Sequence, residues 1–315
     1  MSLLEIADLS VTYASRAGAI RAVRHVGLRL ERGMTLGLVG ESGCGKSTLG
    51  KAVLGILPRG TTLEGSIVFD GTDLACAEEA VMRKYRGRNL SLIFQDPLTR
   101  LDPLMNVRDH FLELIRAHEP DVKEADALDR ARRVLMAVRI SPDRMRQYPH
   151  EFSGGMRQRI MIALALVFHP SVLIADEPTT SLDVIVEAQI LELLQSIKRE
   201  YDMGVLLITH NLGLVAEYAD EMAVMYAGHI VELGRVDRVF AEPLHPYTKA
   251  LLESVIDLDT TKLRSIPGQP PDLLNPPSGC PFHPRCPSAL PECPAAFPAT
   301  TRPREDREVA CYLYP

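Results

Sequence analysis

The eight residues Gly40-Glu41-Ser42-Gly43-Cys44-Gly45-Lys46-Ser47 constrain this chain more than any other segment. They fit the spacing G-x-x-x-x-G-K-[ST], follow the apolar run Thr35 to Val39, which reads as a strand, and precede the helical run Thr48 to Ile56. Glycines let the backbone wrap a phosphate with its N–H groups, and the start of the following helix adds a positive dipole end. Lys46 then offers a point charge to the β- and γ-phosphates, and Ser47 a hydroxyl to Mg²⁺. The plainer alternative is an ordinary glycine-rich turn before a helix, and both flanks speak against it.

Around this loop, short β-type runs alternate with helical patterns from Leu3 to about Leu233, which predicts an α/β domain with a largely parallel core sheet. The expected strands are Met34 to Val39, Asn89 to Phe94, Val172 to Ala175 and Val205 to Ile208. Alternation at Val26, Leu28 and Leu30, and the run Ser66 to Phe69 ending in Asp70-Gly71, predict an antiparallel β-subdomain as well. Between Asp102 and His150 the strand signals vanish. Leu128, Ala131, Leu135 and Val138 recur there at helical spacing, so a helical insertion is expected. After Gly234 come a helix around Tyr247 to Ser254 and a tail too irregular for long elements, in which more than half of the 23 prolines fall.

Two carboxylates, Asp176 and Glu177, end the apolar strand Ser171 to Ala175. A buried strand that ends in acids needs a reason. Asp176 can hold Mg²⁺ through water and Glu177 can polarise an attacking water, although a strand simply entering a polar loop would look the same in isolation. Phe152-Ser153-Gly154-Gly155-Met156-Arg157-Gln158-Arg159 is another anion site in physical terms, a serine and two glycines opening a helix.

That segment resembles the signature motif of ATP-binding-cassette (ABC) ATPases, with Phe152 in place of the commoner Leu and Met156 in place of Gln. The resemblance covers about residues 1 to 235. It implies a RecA-like phosphate-loop core with an antiparallel β-subdomain and a helical subdomain at about 97–165. It also implies that ATP is sandwiched between two cassettes, Gly40, Ser42, Gly43, Cys44, Gly45, Lys46, Ser47 and Thr48 holding it from one chain and Ser153, Gly154 and Gly155 from the other. Tyr13 then resembles the aromatic platform on which adenine stacks, and Gln95 the glutamine that contacts Mg²⁺ with Ser47 and Asp176. Ser181-Leu182-Asp183 resembles the loop that reports across the dimer. Glu177 is similar to the residue that orients or deprotonates water, and His210 to the switch histidine on the γ-phosphate. Each also has a bland reading: a half-buried strand tyrosine, an edge glutamine, a structural histidine at a strand end.

Pro243-Leu244-His245-Pro246-Tyr247-Thr248 resembles the C-terminal extension of oligopeptide and dipeptide importer cassettes, which also serve some nickel and glycoside systems. Gly155 to Arg159 is similar to the D-type of their two ATPase subunits. The expected division is therefore an ATPase domain at 1–234 and a proline- and cysteine-rich extension at 235–315. Of six cysteines, Cys280, Cys286, Cys293 and Cys311 cluster late, enough thiolates for a [4Fe-4S] cluster or a structural Zn²⁺, with disulfides or free thiols as the remaining options. Related D-type subunits carry a cluster here. A tail with so many prolines is expected to bury little core, so a bound centre would supply its cross-linking. Cys44 lies beside Lys46 and a helix start, conditions that lower a thiol pKa, or is merely a small residue at a variable position.

Composition bounds the rest. At 315 residues, 46% hydrophobic and 24% charged, a real core is expected, and the longest apolar run, around Ile160 to Phe168, is about half of the ~18–20 residues that cross a bilayer. A net charge of −6 argues against nucleic acid as a partner, and the opening residues lack a secretory signal, so the expected address is the cytosol. The resemblance implies an ATP-hydrolysing importer subunit on the cytoplasmic face of the inner membrane. Its implied partners are a second, paralogous F-type ATPase subunit, two transmembrane permeases and an extracellular or periplasmic solute-binding protein. A soluble cassette ATPase and a non-hydrolysing regulatory binder are the alternatives.

Overall fold

The computed structural model describes residues 2–94, 100–179, 183–254 and 266–315. The chain divides into two compact units, one formed by Met1–Cys76 with Leu207–Pro315 and the other by Ala77–Leu206.

In the first unit, β1 (Leu4–Ser15), β2 (Gly18–Leu30), β4 (Thr62–Phe69) and β5 (Thr72–Asp73) make an antiparallel sheet in the order β2-β1-β4-β5. The alternation seen in the sequence sets which face of β2 is covered: Val26, Leu28 and Leu30 are all buried. Asp70 and Gly71 join β4 to β5 with φ of 45° and 80°, the left-handed pair that matches the twist of a two-residue hairpin.

The same unit carries β3 (Thr35–Val39), β9 (Glu221–Tyr226), β10 (His229–Arg235), β11 (Thr301–Arg304) and β12 (Arg307–Val309), ordered β11-β12-β10-β9-β3. β3 runs parallel to β9, Leu36 beside Glu221 and Val39 beside Val224. β10 is antiparallel to both β9 and β12. The expected parallel arrangement thus holds at β3 and β9 and gives way beyond them, because the tail returns as a hairpin and pairs with β10. Among the described residues the unit also carries α1 (Lys46–Val53), α7 (Leu212–Tyr218), α8 (Val236–Ala241) and α9 (Pro246–Glu253). At α9, Pro246 occupies the first turn and the His245 ring accepts the Tyr247 N–H through Nδ1 at 3.0 Å, a cap that starts the helix where the sequence placed it.

In the second unit, β6 (Leu90–Ile93) and β7 (Val172–Asp176) pair in parallel, Leu90 beside Val172 and Ile93 beside Ala175. The expected helical insertion is present as α3 (Val107–His118) and α4 (Glu124–Ala137), accompanied by α2 (Glu79–Tyr85), α5 (Gly154–Leu166) and α6 (Val184–Tyr201). Ala131, Leu135 and Val138 are buried as their spacing predicts, together with Ala127 and Val134, while Leu128 is half-buried at the edge of the stripe. The chain passes back to the first unit within β8 (Gly204–Ile208). Among the described residues no helix is long and apolar enough to cross a membrane.

The tail buries more than its composition suggests. Cys280, Phe282 and Cys293 belong to one core cluster with Val39, Val224, Tyr226 and Tyr247. Tyr226, Tyr247 and Phe282 form an aromatic triangle with ring centroids 4.5, 5.2 and 5.4 Å apart. Such pairs add roughly 0.5–1.5 kcal/mol each beyond their buried area. The expectation of a coreless tail is corrected here: its few apolar residues are used against the body of the first unit instead of against one another.

A buried carboxylate fixes where that happens. Glu232 on β10 accepts the backbone N–H groups of Leu244 and His245, both at 2.9 Å, and pairs with the Arg307 guanidinium on β12. Arg307 also donates to the carbonyls of Arg238 and Glu242, so every charge in this 0–3% exposed pair has several partners.

Two buried histidines make stability pH-dependent. Burial holds both His229, which stacks on Phe297 at 3.8 Å, and His245 down at about 3, so each is neutral in the fold. Below about pH 6.5 the unfolded chain takes up protons that the folded chain refuses, so stability falls as pH drops from there toward 3, by up to about 1.4 kcal/mol per pH unit per histidine. Urea unfolding at pH 7 and pH 5 should show this loss, and His229→Gln should reduce it; an unchanged pH dependence in that variant would remove His229 as a cause.

Candidate nucleotide site

The phosphate loop is built as its spacing predicts. Gly40, Gly43 and Gly45 have φ of 153°, 79° and 114°, and a Cβ at Gly40 or Gly45 would lie 2.1 Å from the carbonyl oxygen of Met225 or Ala22. No other residue fits those two positions. Lys46 is buried, and its ammonium donates to the carbonyls of Gly40 at 2.8 Å and Glu41 at 3.0 Å, so the cation spans the loop it is to serve. Ser42 is exposed and Ser47 and Thr48 are half-buried at the start of α1. Tyr13, half-buried on β1, donates its hydroxyl to Thr48 Oγ1 at 3.1 Å, which joins the expected aromatic platform to the helix behind the loop. His210 is exposed just past β8, before the α7 cap at Asn211, and also belongs to the first unit.

The surroundings of Cys44 work against a reactive thiol. It is 5% exposed, and burial raises its pKa although Lys46, 3.8 Å from the sulfur, pulls the other way. Desolvation outweighs the helix start and the cation, which favours the second of the two readings, a small residue at a variable position.

The second unit carries the other predicted residues. Asp176 ends β7 and is buried; Glu177 follows with φ of 47°, a left-handed conformation that a glutamate adopts only when its surroundings impose it. Ser153 caps α5 with an exposed hydroxyl that makes no capping bond, leaving the first N–H groups of the helix to other partners. Gly154 and Gly155 begin the helix, and a Cβ at Gly155 would lie 2.6 Å from Val186 Cγ1, so the glycine is required by α6. Asp183 caps α6, accepting the Val186 N–H at 3.0 Å. Gln95, Ser181 and Leu182 lie outside the described residues.

The four late cysteines, all free thiols, line one small pocket with His245, Phe282, His283 and Leu290. Cys280 and Cys293 are joined by a backbone bond of 2.8 Å, and the Leu290 N–H points at Cys293 Sγ at 3.4 Å. Burial pushes the Cys280 thiol up to about 11; a Phe282 N–H opposes this, and the neighbouring Cys293, Cys311 and Cys286 add to the rise. His245 contributes a buried Nε2 with no hydrogen-bond partner in the structure, its Nδ1 being occupied by Tyr247. Convergent thiols, a donor N–H on a cysteine and an orphaned ring nitrogen form a donor set that suits an anionic sulfur-ligated group. Among the described residues, no group of three or more His, Cys, Asp or Glu side chains is placed to hold a metal ion.

Comparison with known proteins decides the family. Residues 23–180 match the family described as ABC transporter, and residues 231–293 match the C-terminal region of oligopeptide/dipeptide transporters. The chain is 46% identical to the dipeptide transport ATP-binding protein DppD of Bacillus subtilis, over 99% of this chain and 94% of that protein. It is 46% identical to the oligopeptide transport ATP-binding protein OppD of Salmonella typhimurium, over 94% of this chain and 89% of that one. The chain belongs to this family of ABC ATP-binding subunits. In fold, the ABC subunit matches the solved structure of cbiO1 from Clostridium perfringens with a TM-score of 0.65 and 27% identity, covering 76% of this chain and 91% of that one. A dimeric ATP-binding cassette, MJ0796, bound to ADP and Pi matches with a TM-score of 0.66 at 24% identity, covering 74% and 98%.

The two departures of this ABC subunit from the commoner signature share one neighbour. Arg144 lies over the Phe152 ring at 4.3 Å from its centroid and points its NH1 at the Met156 sulfur at 3.3 Å. Neither contact was legible in the sequence, since nothing about an arginine before a proline-bounded turn reports its partner. Arg285, Tyr226 and Glu232 were missed for the same reason; Tyr247 was noticed only as part of a motif. At Cys44 the test is direct: iodoacetamide should leave it unmodified in the native protein while labelling exposed Cys76, as read by peptide mass spectrometry. Rapid native labelling of Cys44 would reverse the burial argument.

Proposed function

We propose that this chain is the ATP-hydrolysing subunit of an importer for dipeptides, oligopeptides or related solutes, seated peripherally on the cytoplasmic face of the membrane. The observation that carries the reading is that one chain holds both a complete phosphate loop, with Lys46 drawn across its carbonyls, and a transporter-type extension seated against that loop. Residues 1–234 form the ATPase domain and 235–315 the extension. Its partners are a paralogous F-type ATPase subunit, two permeases and an extracellular or periplasmic solute-binding protein.

In this reading Tyr13 stacks on adenine, and the N–H groups of residues 40–48 with Lys46 hold the phosphates. Ser153, Gly154 and Gly155 offer α5's open N–H groups to the γ-phosphate bound by the partner cassette. Ser47, Asp176 and Gln95 hold Mg²⁺, which when bound supplies positive charge beside the β- and γ-phosphates. Glu177 orients the attacking water and takes its proton, His210 stabilises the γ-phosphate, and Asp183 reports across the dimer. The strained backbone at Glu177 supports its part, since such strain persists where the surroundings hold a side chain in one place. Glu177→Gln should bind ATP normally and hydrolyse it at least about a hundredfold more slowly in the assembled transporter. Wild-type phosphate release in that variant would take Glu177 out of the reaction. A tagged chain should bring down two permeases and a second ATPase from detergent-solubilised membranes; recovery alone would favour a soluble machine.

The four thiols of Cys280, Cys286, Cys293 and Cys311 hold a [4Fe-4S] cluster in this proposal, with Zn²⁺ as the alternative. What supports the reading is that all four thiols line one pocket beside the orphaned His245 Nε2. When bound, the group cross-links the segments 280–293 and 311. Anaerobically purified protein should contain iron and sulfide with visible absorbance, and Cys286→Ser should lose both. Equal iron and sulfide in that variant, or zinc in place of iron in the wild type, would refute the cluster.

A further inference from the structure

Glu41, the second residue of the phosphate loop, is held at three of its groups by partners far away in the chain or across the loop. Its N–H donates to the Tyr247 hydroxyl at 2.9 Å, 206 residues on. Its carboxylate receives both terminal nitrogens of Arg285, at 2.7 and 3.0 Å, 244 residues on. Its carbonyl receives Lys46 Nζ at 3.0 Å. One residue therefore separates the charge meant for the phosphates from two side chains of the C-terminal extension.

Those two side chains are themselves fixed. Arg285 is 7% exposed on its side chain, and it also donates to the Pro267 carbonyl at 2.7 Å and the Tyr226 hydroxyl at 3.1 Å. The Glu41 carboxylate raises the guanidinium pKa further above its ordinary value, so Arg285 stays charged. A forked arginine–carboxylate pair defines orientation as well as distance, which lysine cannot do. Tyr247 is fully buried in the aromatic triangle, and its ring is set by the same α9 turn that Glu232 anchors. A loop with three left-handed glycines has much conformational freedom to lose when it closes on phosphates, and tethering it beforehand lowers that loss.

We infer that Tyr247 and Arg285 are positioning residues for nucleotide: acting through Glu41, they hold the phosphate loop in its binding shape, so the extension sets the affinity of a site it does not itself line. The inference uses the nucleotide-binding activity and stands whether or not the cysteines bind a cluster.

Calorimetric titration of the full-length chain with MgADP separates this from a merely structural role, because it reads the dissociation constant and the number of competent sites independently. Tyr247→Phe keeps the packed ring and loses one neutral hydrogen bond, so Kd should rise about fivefold with the number of sites unchanged. Arg285→Ala should raise Kd at least about tenfold, with Arg285→Lys in between. Glu41→Gln combined with Arg285→Ala should bind no worse than Arg285→Ala alone, since both remove one contact. A structural role predicts the opposite pattern, fewer sites at an unaltered Kd. Kd within twofold of wild type in Tyr247→Phe and Arg285→Ala, or penalties at Glu41 and Arg285 that multiply, would overturn the inference.

Discussion

The pairing of Glu232 with Arg307 and with the N–H groups of Leu244 and His245 is the interaction on which the arrangement of the first unit rests. A carboxylate buried this deeply is stable only when its oxygens are occupied, and here β12 and the turn before α9 supply the donors to an acceptor on β10. Removing one partner from such a pair typically costs about 3–5 kcal/mol, because the remaining charge is left unpaired. The consequence is directional. Once Glu232 has fixed His245, Pro246 and Tyr247 follow into α9, the Tyr247 ring meets Tyr226 and Phe282, and its hydroxyl arrives at Glu41.

The phosphate loop is held from the other side by sterics instead of by charge. Gly40 and Gly45 press against the carbonyls of Met225 and Ala22 so closely that a methyl group could not enter. The backbone shape is therefore held by the neighbouring strands at Gly40 and Gly45 and by the contacts of Glu41 and Lys46 between them. Burial of Cys44 follows from the same crowding, and it explains why a thiol next to a cation stays protonated.

Much of this was legible in the chain itself, for reasons that differ by element. The loop, the signature at Ser153 to Gly155 and the acids at Asp176 and Glu177 announce themselves because their chemistry needs fixed residue types at fixed local spacing. The stripe through Ala131, Leu135 and Val138 was readable because a helix repeats its buried face within a few residues. The hairpin β11–β12 was not, since its strands are only four and three residues long, one of them holds Pro303, and the strand it joins, β10, lies far back in the chain. The core of the tail was hidden too: Phe282 and Cys280 look isolated among prolines, and their apolar neighbours belong to β3 and β9. Long-range pairs such as Glu41 with Arg285 leave no local trace at all.

The Arg144 contacts bear on how this sequence can drift. One guanidinium covers the ring at 152 and meets the sulfur at 156, so neither site is free to change alone. Grafting the commoner leucine and glutamine into these places would strip the guanidinium of both contacts at once, leaving it the Gln147 side chain and the Glu151 carbonyl as its remaining anchors.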